Sequence, residues 1–421
     1  MNSGFGVGWR QVAACLAMMA AAAMVTSGYS VIAVPLGAEF HPSRMVLMLT
    51  MTIMSLVAGL TSPLFGSLMD RISVRLLLGV GTALIVAGYV ALSFATSFTQ
   101  VLVIFALFMA PVNILLGPMS ATVLLSRWFV KRRGTALGID ISGVALGGFV
   151  YPPVTQLLLD HFHWREALRL LALILALTTV PAVLAVVDHP SQRGLHPDGA
   201  ESGEEGKRDE AETAVFSARE LIGDPAFWIL GAVCAVIMSG MLGMVTNLMP
   251  LAIDQGVSAT AAALLISVYA GGGFIAKLGF AAIADRLNPR TLIFLSLTGF
   301  ASGMACMIGA ELGYAMIFLG VGLIGLFGGI MVPMQGLLIP RIFGQKVVGR
   351  VSGTLNLLVL SALLATPPIF GLIFDLTGNY DAIFVTFVGL AVGTMLLVPY
   401  LRLHPKVAEA ATPVVAGVAQ V

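Results

Sequence analysis

The chain has 421 residues, of which 58% are hydrophobic and 10% charged, and its mean hydropathy is +0.98. Soluble domains carry roughly 25% charged residues, so this chain lacks the charges that cover a water-soluble surface, and we expect a lipid bilayer around it. The formal net charge of +1, without a basic tail or stripe, argues against nucleic acid as a partner.

Apolar segments long enough to cross a bilayer, which takes about 20 helical residues, recur along the chain. The sequence therefore predicts an all-α membrane protein with twelve spans, numbered here in chain order. The predicted spans are 11–36, 45–66, 75–96, 99–125, 134–159, 166–187, 226–252, 260–283, 291–310, 314–338, 351–374 and 380–402. Span 1 is longer than the ~7–15-residue core of a signal peptide, so we expect it to be retained, although the small residues of 20–23 resemble a cleavage site.

Basic residues fall almost wholly on one side of this predicted topology. Of the 22 Lys and Arg residues, Lys277 lies inside a span, and only Arg44, Arg165 and Arg169 lie on the side opposite the two termini. Because cytoplasmic loops carry an excess of basic residues, we expect a multi-pass inner-membrane protein with both termini in the cytoplasm.

One long polar segment divides the spans into two groups of six. Residues 188–225 contain a run of Gly, Ser, Glu, Lys and Asp that has the composition of a disordered linker. We therefore expect an N-terminal six-helix bundle over 1–187, a cytoplasmic linker over 188–225 and a C-terminal six-helix bundle over 226–421. A tether is the favoured reading of the linker, and a binding tail is the alternative.

A short motif occurs at the same place in each half. Span 2 is followed by Gly66-Ser-Leu-Met-Asp-Arg-Ile-Ser-Val-Arg75, and span 8 by Ala281-Ala-Ile-Ala-Asp-Arg-Leu-Asn-Pro-Arg290. A shared motif in two halves of equal orientation indicates a parallel repeat. The motif resembles the signature of the major facilitator superfamily between helices 2 and 3.

This resemblance implies a latch that gates the cytoplasmic side, and a charged loop that only sets orientation is the alternative. Arg127, which follows span 4, is a possible partner for the first acidic residue of the motif. The residues of the expected latch are Asp70, Arg71, Arg75, Arg127, Asp285, Arg286 and Arg290.

Two further stretches point to one branch of that superfamily. Arg127-Trp-Phe-Val-Lys-Arg-Arg-Gly-Thr-Ala-Leu-Gly-Ile-Asp-Ile-Ser-Gly143 enters span 5, and Tyr29-Ser-Val-Ile-Ala-Val-Pro-Leu-Gly-Ala-Glu-Phe-His-Pro-Ser-Arg44 ends span 1. They resemble the monocarboxylate transporter family and the related oxalate:formate antiporters, over essentially the whole chain. The resemblance implies two helical bundles that rock around a central site and move short carboxylates, often with a proton.

The same resemblance implies a cationic residue in span 8 that meets the substrate carboxylate. Lys277 occupies that position, where many relatives have Arg. Relatives in the animal branch carry Asp four residues earlier, and this chain has Gly273 there. The family's proton-linked carboxylate is therefore missing, which leaves the coupling ion open.

The charged residues inside the predicted spans indicate the same site independently of the family resemblance. Lys277 lies eight residues from Asp285, or ~12 Å below the interface, where an ammonium in hydrocarbon costs at least ~3 kcal/mol. It should therefore face a water-filled cavity bearing an anionic substrate, or a structural counter-ion.

Asp140 lies ~10 Å deep in span 5, and we hypothesise that it approaches Lys277 when the cytoplasmic side closes. Local pairing with Lys131 or Arg132, or solvation at the cavity mouth, is the alternative for Asp140.

In this scheme the substrate competes for Lys277, and protonation of Asp140 weakens the ion pair, which couples transport to protons. One cation matches one carboxylate, so the sequence favours a monocarboxylate over a dicarboxylate.

Uncharged polar residues in the spans are candidates to complete the site, and helix–helix hydrogen bonding is their alternative role. The candidates are Tyr29, Asn113, Asn247, Tyr269 and Asn356.

Other classes of function lack their motifs. No phosphate-binding glycine loop lies between a strand and a helix, the histidines form no metal-binding pattern, and no nucleophile–base arrangement can be read. We therefore expect neither an enzyme nor a cofactor, and no oligomer is required. The predicted function is secondary active transport of a small carboxylate, short-chain or aromatic, with a proton as co-substrate. A drug or other solute exporter and a non-transporting membrane sensor are the alternatives.

Overall fold

The computed structural model describes residues 3–130, 132–197, 221, 223–283, 288–343 and 348–401, and the regular elements in these ranges are helices. Within them, twelve helical segments are long and apolar enough to cross a membrane, in the predicted order. Spans 1 to 6 are Ser3–Phe40, Arg44–Arg71, Val74–Ser93, Phe98–Trp128, Arg133–His161 and Trp164–Ala185. Spans 7 to 12 are Pro225–Asp254, Ala259–Ile283, Pro289–Ile308, Tyr314–Phe343, Val348–Thr377 and Asp381–Leu397.

Short polar side chains mark where several spans begin. The hydroxyls of Ser43, Ser73 and Ser97 accept from backbone N–H groups in the first turns of spans 2, 3 and 4. Asp224 and Asn288 do the same for spans 7 and 9. Such caps satisfy N–H groups that have no partner within the helix, so the turns between spans can be short.

Spans 4 and 10 are interrupted at corresponding places in the two halves. Span 4 passes through a π-helical turn at Phe105–Met109 and breaks after Ala110–Leu115, before helix restarts at Pro118–Trp128. Span 10 breaks between Tyr314–Gly328 and Met331–Phe343.

Glycine is required at the break in span 4, because a Cβ atom at Gly117 would lie 1.9 Å from the carbonyl oxygen of Asn113. Proline follows it and cannot donate a helical N–H bond.

The buried apolar side chains form separate cores in the two halves, and the first half has a further small cluster of Met69, Leu77, Ile114 and Leu115. One cluster draws its members from Val12 to Val186, and a second draws its members from Leu221 to Leu401, with Val31 as its one contribution from span 1. The predicted arrangement of two six-helix bundles is therefore confirmed. Of the predicted linker, residues 198–220 and 222 lie outside the described residues.

The two halves repeat one contact made by the last arginine of the shared motif. The guanidinium of Arg75 donates to the carbonyl of Leu184 at the end of span 6, at 3.3 Å. The guanidinium of Arg290 donates to the carbonyl of Leu401 after span 12, at 2.8 Å. Each arginine therefore ties the start of the third helix of its bundle to the end of the sixth, as a parallel repeat requires.

We call the side on which span 1 begins the near side, and the other the far side. The bundles are joined by hydrogen bonds in the far half. Ser267 of span 8 donates to the carbonyl of Phe149 in span 5 at 2.7 Å, and Thr52 of span 2 donates to that of Leu364 in span 11 at 2.7 Å. These contacts bring spans 5 and 8, and spans 2 and 11, together across the interface.

Candidate functional site

A cavity of about 410 Å³ lies between the bundles and extends from the level of these contacts toward the near side. Spans 1, 4 and 5 of the first bundle and spans 7, 8 and 10 of the second contribute to its wall. The wall is mainly apolar, and its polar members are Thr26, Ser27, Asn113, Tyr269 and Lys277. Both helix interruptions reach it, through Gly117 in span 4 and Gly329 in span 10.

Lys277 is the only charged side chain among the described residues that line this cavity. It is partly buried, and it makes neither a hydrogen bond nor an ion pair with any residue that the structure describes. An ammonium held in a low-dielectric wall without a partner is unfavourable. The cavity therefore presents one positive charge that an anion can neutralise.

Close glycine packing holds the helix that carries Lys277. A Cβ atom at Gly325 of span 10 would lie 2.3 Å from the backbone oxygen of Tyr269, and one at Gly329 would lie 2.6 Å from the Cα atom of Gly273. Small residues let helix backbones approach closely in membranes. Span 10 therefore lies directly against the face of span 8 from which Lys277 and Tyr269 project.

Asp140 of span 5 is buried, with 1% of its surface exposed. Its Oδ1 atom has no hydrogen-bond partner, and no described basic residue forms an ion pair with it. Span 1 packs closely beside it, since a Cβ atom at Gly143 would lie 2.6 Å from the carbonyl oxygen of Leu16. Of the local partners considered from sequence, Lys131 lies outside the described residues.

Asp140 and Lys277 lie at the same level of the bilayer. Spans 5 and 8 are antiparallel, and the bond between Phe149 and Ser267 fixes their register. Counting toward the near side gives nine residues to Asp140 and ten to Lys277, or ~14 and ~15 Å. The two side chains are nevertheless not paired: Lys277 lines the cavity, whereas Asp140 is buried and is not among the described residues of the cavity wall.

Three of the six predicted substrate residues line the cavity, namely Lys277, Tyr269 and Asn113. The amide of Asn113 lies 3.6 Å from the sulfur of Met54, a weak acceptor. This leaves most of the hydrogen-bonding capacity of the amide for a ligand.

The other three are absent from the described wall of this cavity. Tyr29 is buried in the first bundle, where its hydroxyl donates to the carbonyl of Leu47. Asn247 is buried in span 7 and donates to the carbonyl of Gly243 at 2.9 Å, while its Oδ1 atom has no partner. Asn356 is exposed on span 11. Tyr29 and the amide nitrogen of Asn247 therefore have the alternative role, since each forms a hydrogen bond to a helix carbonyl.

The predicted latch residues are described only in part. Arg71 is exposed at the end of span 2, and Arg127 lies at the end of span 4 beside a surface cavity. Arg75 and Arg290 donate within their own bundles, as given above. The side chain of Asp70, and all of Asp285 and Arg286, lie outside the described residues.

Sequence reasoning missed a cluster that joins the bundles at the far side. The guanidinium of Arg44 forms an ion pair with Asp254 at the end of span 7, at 2.8 Å, and lies 4.7 Å from the ring centre of Phe374. The backbone N–H groups of Arg44 and Met45 both donate to the carboxylate of Asp375 in span 11, at 2.9 Å. The sequence places these charges at span ends, but nothing in it indicates that those ends meet.

The model of the Major Facilitator Superfamily matches residues 14–258 and 228–419. Monocarboxylate transporter 11 of Mus musculus is 32% identical over 273 residues, covering 62% of this chain and 58% of that protein. Monocarboxylate transporter 12-B of Danio rerio is 25% identical over 400 residues, covering 90% of this chain and 83% of the relative.

Among solved structures, a bacterial homolog of the human lysosomal transporter Spinster, in an inward-facing and unoccupied conformation, matches with a TM-score of 0.66. Its sequence is 18% identical, and 95% of each chain is covered, so the likeness concerns the fold. The expected fold and family are thus confirmed, and the chain belongs to the major facilitator superfamily, in the branch that holds the monocarboxylate transporters.

Proposed function

We propose that this protein is a secondary active transporter that carries a small organic monocarboxylate, with a proton as co-substrate, by alternating access. The observation that carries the proposal is the unpaired ammonium of Lys277 in the cavity between the bundles. A carboxylate bound there would form a charge-assisted hydrogen bond and relieve the cost of the buried cation. The single cation favours one carboxylate over two.

The wall offers few other polar groups to a substrate. Asn113 and Tyr269 can each form a hydrogen bond to a carboxylate or to a substituent. Export of a cationic drug is disfavoured, because Lys277 would repel the cargo and no described acidic residue lines the cavity.

The matched depth of Asp140 and Lys277 supports proton coupling. Closure of the near side would bring spans 5 and 8 together at this level, so that the carboxylate and the ammonium could pair. A bound substrate would compete with Asp140 for Lys277, and protonation of Asp140 would free Lys277 for the substrate. Movement of the acid would then be linked to movement of a proton.

Alternating access also requires the far side to open. The Arg44 cluster, with Asp254 and Asp375, would have to separate in that state. On the near side we propose the motif residues as the gate: Asp70, Arg71, Arg75, Arg127, Asp285, Arg286 and Arg290. The excess of basic residues supports a cytoplasmic near side, in the inner membrane.

Counterflow in proteoliposomes tests the proposal. The full chain is reconstituted, loaded with an unlabelled acid and supplied with the labelled acid outside. We expect exchange of monocarboxylates that Lys277→Ala abolishes and Lys277→Arg retains in part, because Arg keeps the charge. Exchange of organic cations instead would indicate an exporter, and absence of exchange for every solute would indicate a sensor; either result contradicts the proposal.

A further inference from the structure

The geometry points to a substrate whose carboxylate is attached to a long apolar body, a ring or an alkyl chain, rather than to a two- or three-carbon acid. This inference rests on the proposed function and concerns the same cavity. Its basis is the distribution of charge and apolar surface along the cavity wall. Lys277 lies at the end of the cavity that points toward the near side.

The cavity is much longer than a short acid. Its wall on span 8 extends from Lys277 to Ile266, eleven residues away, which corresponds to ~16 Å along the helix. On span 1 it extends from Met19, at the near end, to Ser27, toward the far side. Acetate or lactate bound to Lys277 would leave most of this length unfilled.

The part of the wall beyond Lys277 is mainly apolar. Span 7 contributes Met238, Met241, Leu242 and Val245. At the far end the hydroxyl of Ser27 already donates to the carbonyl of Ala23 in its own helix, at 2.7 Å. An apolar body would remove this surface from water, which a short polar acid would not do. Flexible methionine side chains can also adapt to a ring or a branched chain.

Small side chains provide the width for such a body. Ala22 of span 1, Ala145 and Gly148 of span 5, and Ala270 and Gly273 of span 8 all border the cavity. A Cβ atom at Gly148 would lie 3.0 Å from that of Ala270, so the two helices are already close there. At Gly273 a Cβ atom would lie 3.6 Å from the carbonyl oxygen of Gly325, so this glycine packs against span 10 while it borders the cavity.

Substitutions that narrow the cavity without entering a helix–helix contact test the inference. Val144 of span 5 borders the cavity with 42% of its surface exposed, one helical turn from Asp140. Val150, on the same helix, is 41% exposed and is not part of the described wall, so Val150→Phe is the matched control for Val144→Phe.

The measurement is counterflow of acetate, lactate, butyrate, octanoate and 3-phenylpropionate by the full chain in proteoliposomes. We expect the wild type to exchange octanoate and 3-phenylpropionate at least tenfold faster than acetate or lactate. Val144→Phe should lower the ratio of 3-phenylpropionate to butyrate exchange at least tenfold, and Val150→Phe should leave that ratio unchanged.

Faster exchange of acetate and lactate than of the longer acids would overturn this inference and leave the proposed function standing. An equal effect of Val144→Phe on butyrate and 3-phenylpropionate would also overturn it. Failure to exchange any of the five acids would overturn both.

Discussion

Arg44 binds Asp254 with one guanidinium nitrogen 2.8 Å from each carboxylate oxygen, and this ion pair joins the first bundle to the second at the far side. A second ion pair at the same side, Arg165 with Glu39, lies within the first bundle at 3.0 Å. Only the first pair must break when the bundles separate on the far side. The two pairs therefore provide a matched comparison between a contact that controls opening and one that does not.

Asp254→Asn should favour the far-side-open state. Because the pair is partly exposed, its loss should change the free-energy difference between the closed and open states by about 0.5–1 kcal/mol. This corresponds to a ~2–5-fold rise in the population of the open state. A single cysteine at Val34, which borders a small far-side cavity beside Arg44, reports the opening. It is introduced after replacement of Cys15, Cys234 and Cys306, and labelled with a membrane-impermeant thiol reagent.

We expect Asp254→Asn to raise the labelling rate at position 34 and Glu39→Gln to leave it unchanged. Equal rates in wild type and Asp254→Asn would show that the ion pair does not hold the far side closed.

Asp140→Asn should uncouple transport from the proton gradient. The substitution keeps the shape of the side chain but removes the titrating carboxyl group, so the substrate no longer competes with a charged partner for Lys277. We expect counterflow to persist, while an imposed proton gradient, acidic on the side from which the acid enters, stimulates uptake by the wild type only. Uptake is measured in proteoliposomes with and without the gradient.

Glu39→Gln is the control for that experiment, since Glu39 lies at the far side and pairs with Arg165 within the first bundle, so its loss removes a carboxylate without breaking a described contact between the bundles. Gradient-driven uptake by Asp140→Asn at the wild-type rate would remove Asp140 from the coupling mechanism.

Gly325→Ala should destabilise the second bundle. The added methyl group would lie 2.3 Å from the backbone oxygen of Tyr269, so spans 8 and 10 must move apart. Overpacking of this kind costs typically 1–3 kcal/mol. The check is thermal unfolding of the detergent-solubilised protein, with a drop in Tm expected.

Gly389→Ala is the matched variant, because a Cβ atom at Gly389 of span 12 meets no atom within 4 Å. It should leave Tm unchanged or raise it slightly, since alanine favours helix over glycine. Equal Tm values for the two variants would contradict the close packing of spans 8 and 10.

The twelve spans and the two bundles could be predicted because both depend on local composition. Apolar length marks each span, and the excess of basic residues on one side fixes their alternation. The interruptions of spans 4 and 10 were harder to predict from the sequence. Gly117 and Pro118 are visible in the sequence, but the π-helical turn before them depends on packing against other spans.

The candidate site was predictable where a charge sits in an apolar span. Lys277 is conspicuous for that reason, and it lines the cavity between the bundles, while its role in substrate binding stays a prediction. Uncharged polar residues carry no such signal, because an amide or a phenol can form its hydrogen bonds to a carbonyl group of its own helix or of a neighbouring helix. Tyr29 binds the carbonyl of Leu47 and Asn247 binds that of Gly243, and neither partner can be read from the sequence.

Equilibrium binding of a labelled monocarboxylate to Lys277→Met tests the central claim most directly. Methionine keeps the length and apolar stem of the side chain and removes only the ammonium group. A charge-assisted hydrogen bond is worth about 1.5–3 kcal/mol, so we expect a ~10–100-fold rise in Kd, and Lys277→Arg should recover part of the affinity. An unchanged Kd in Lys277→Met, with the protein folded as judged by its Tm, would mean that this cation does not bind the carboxylate.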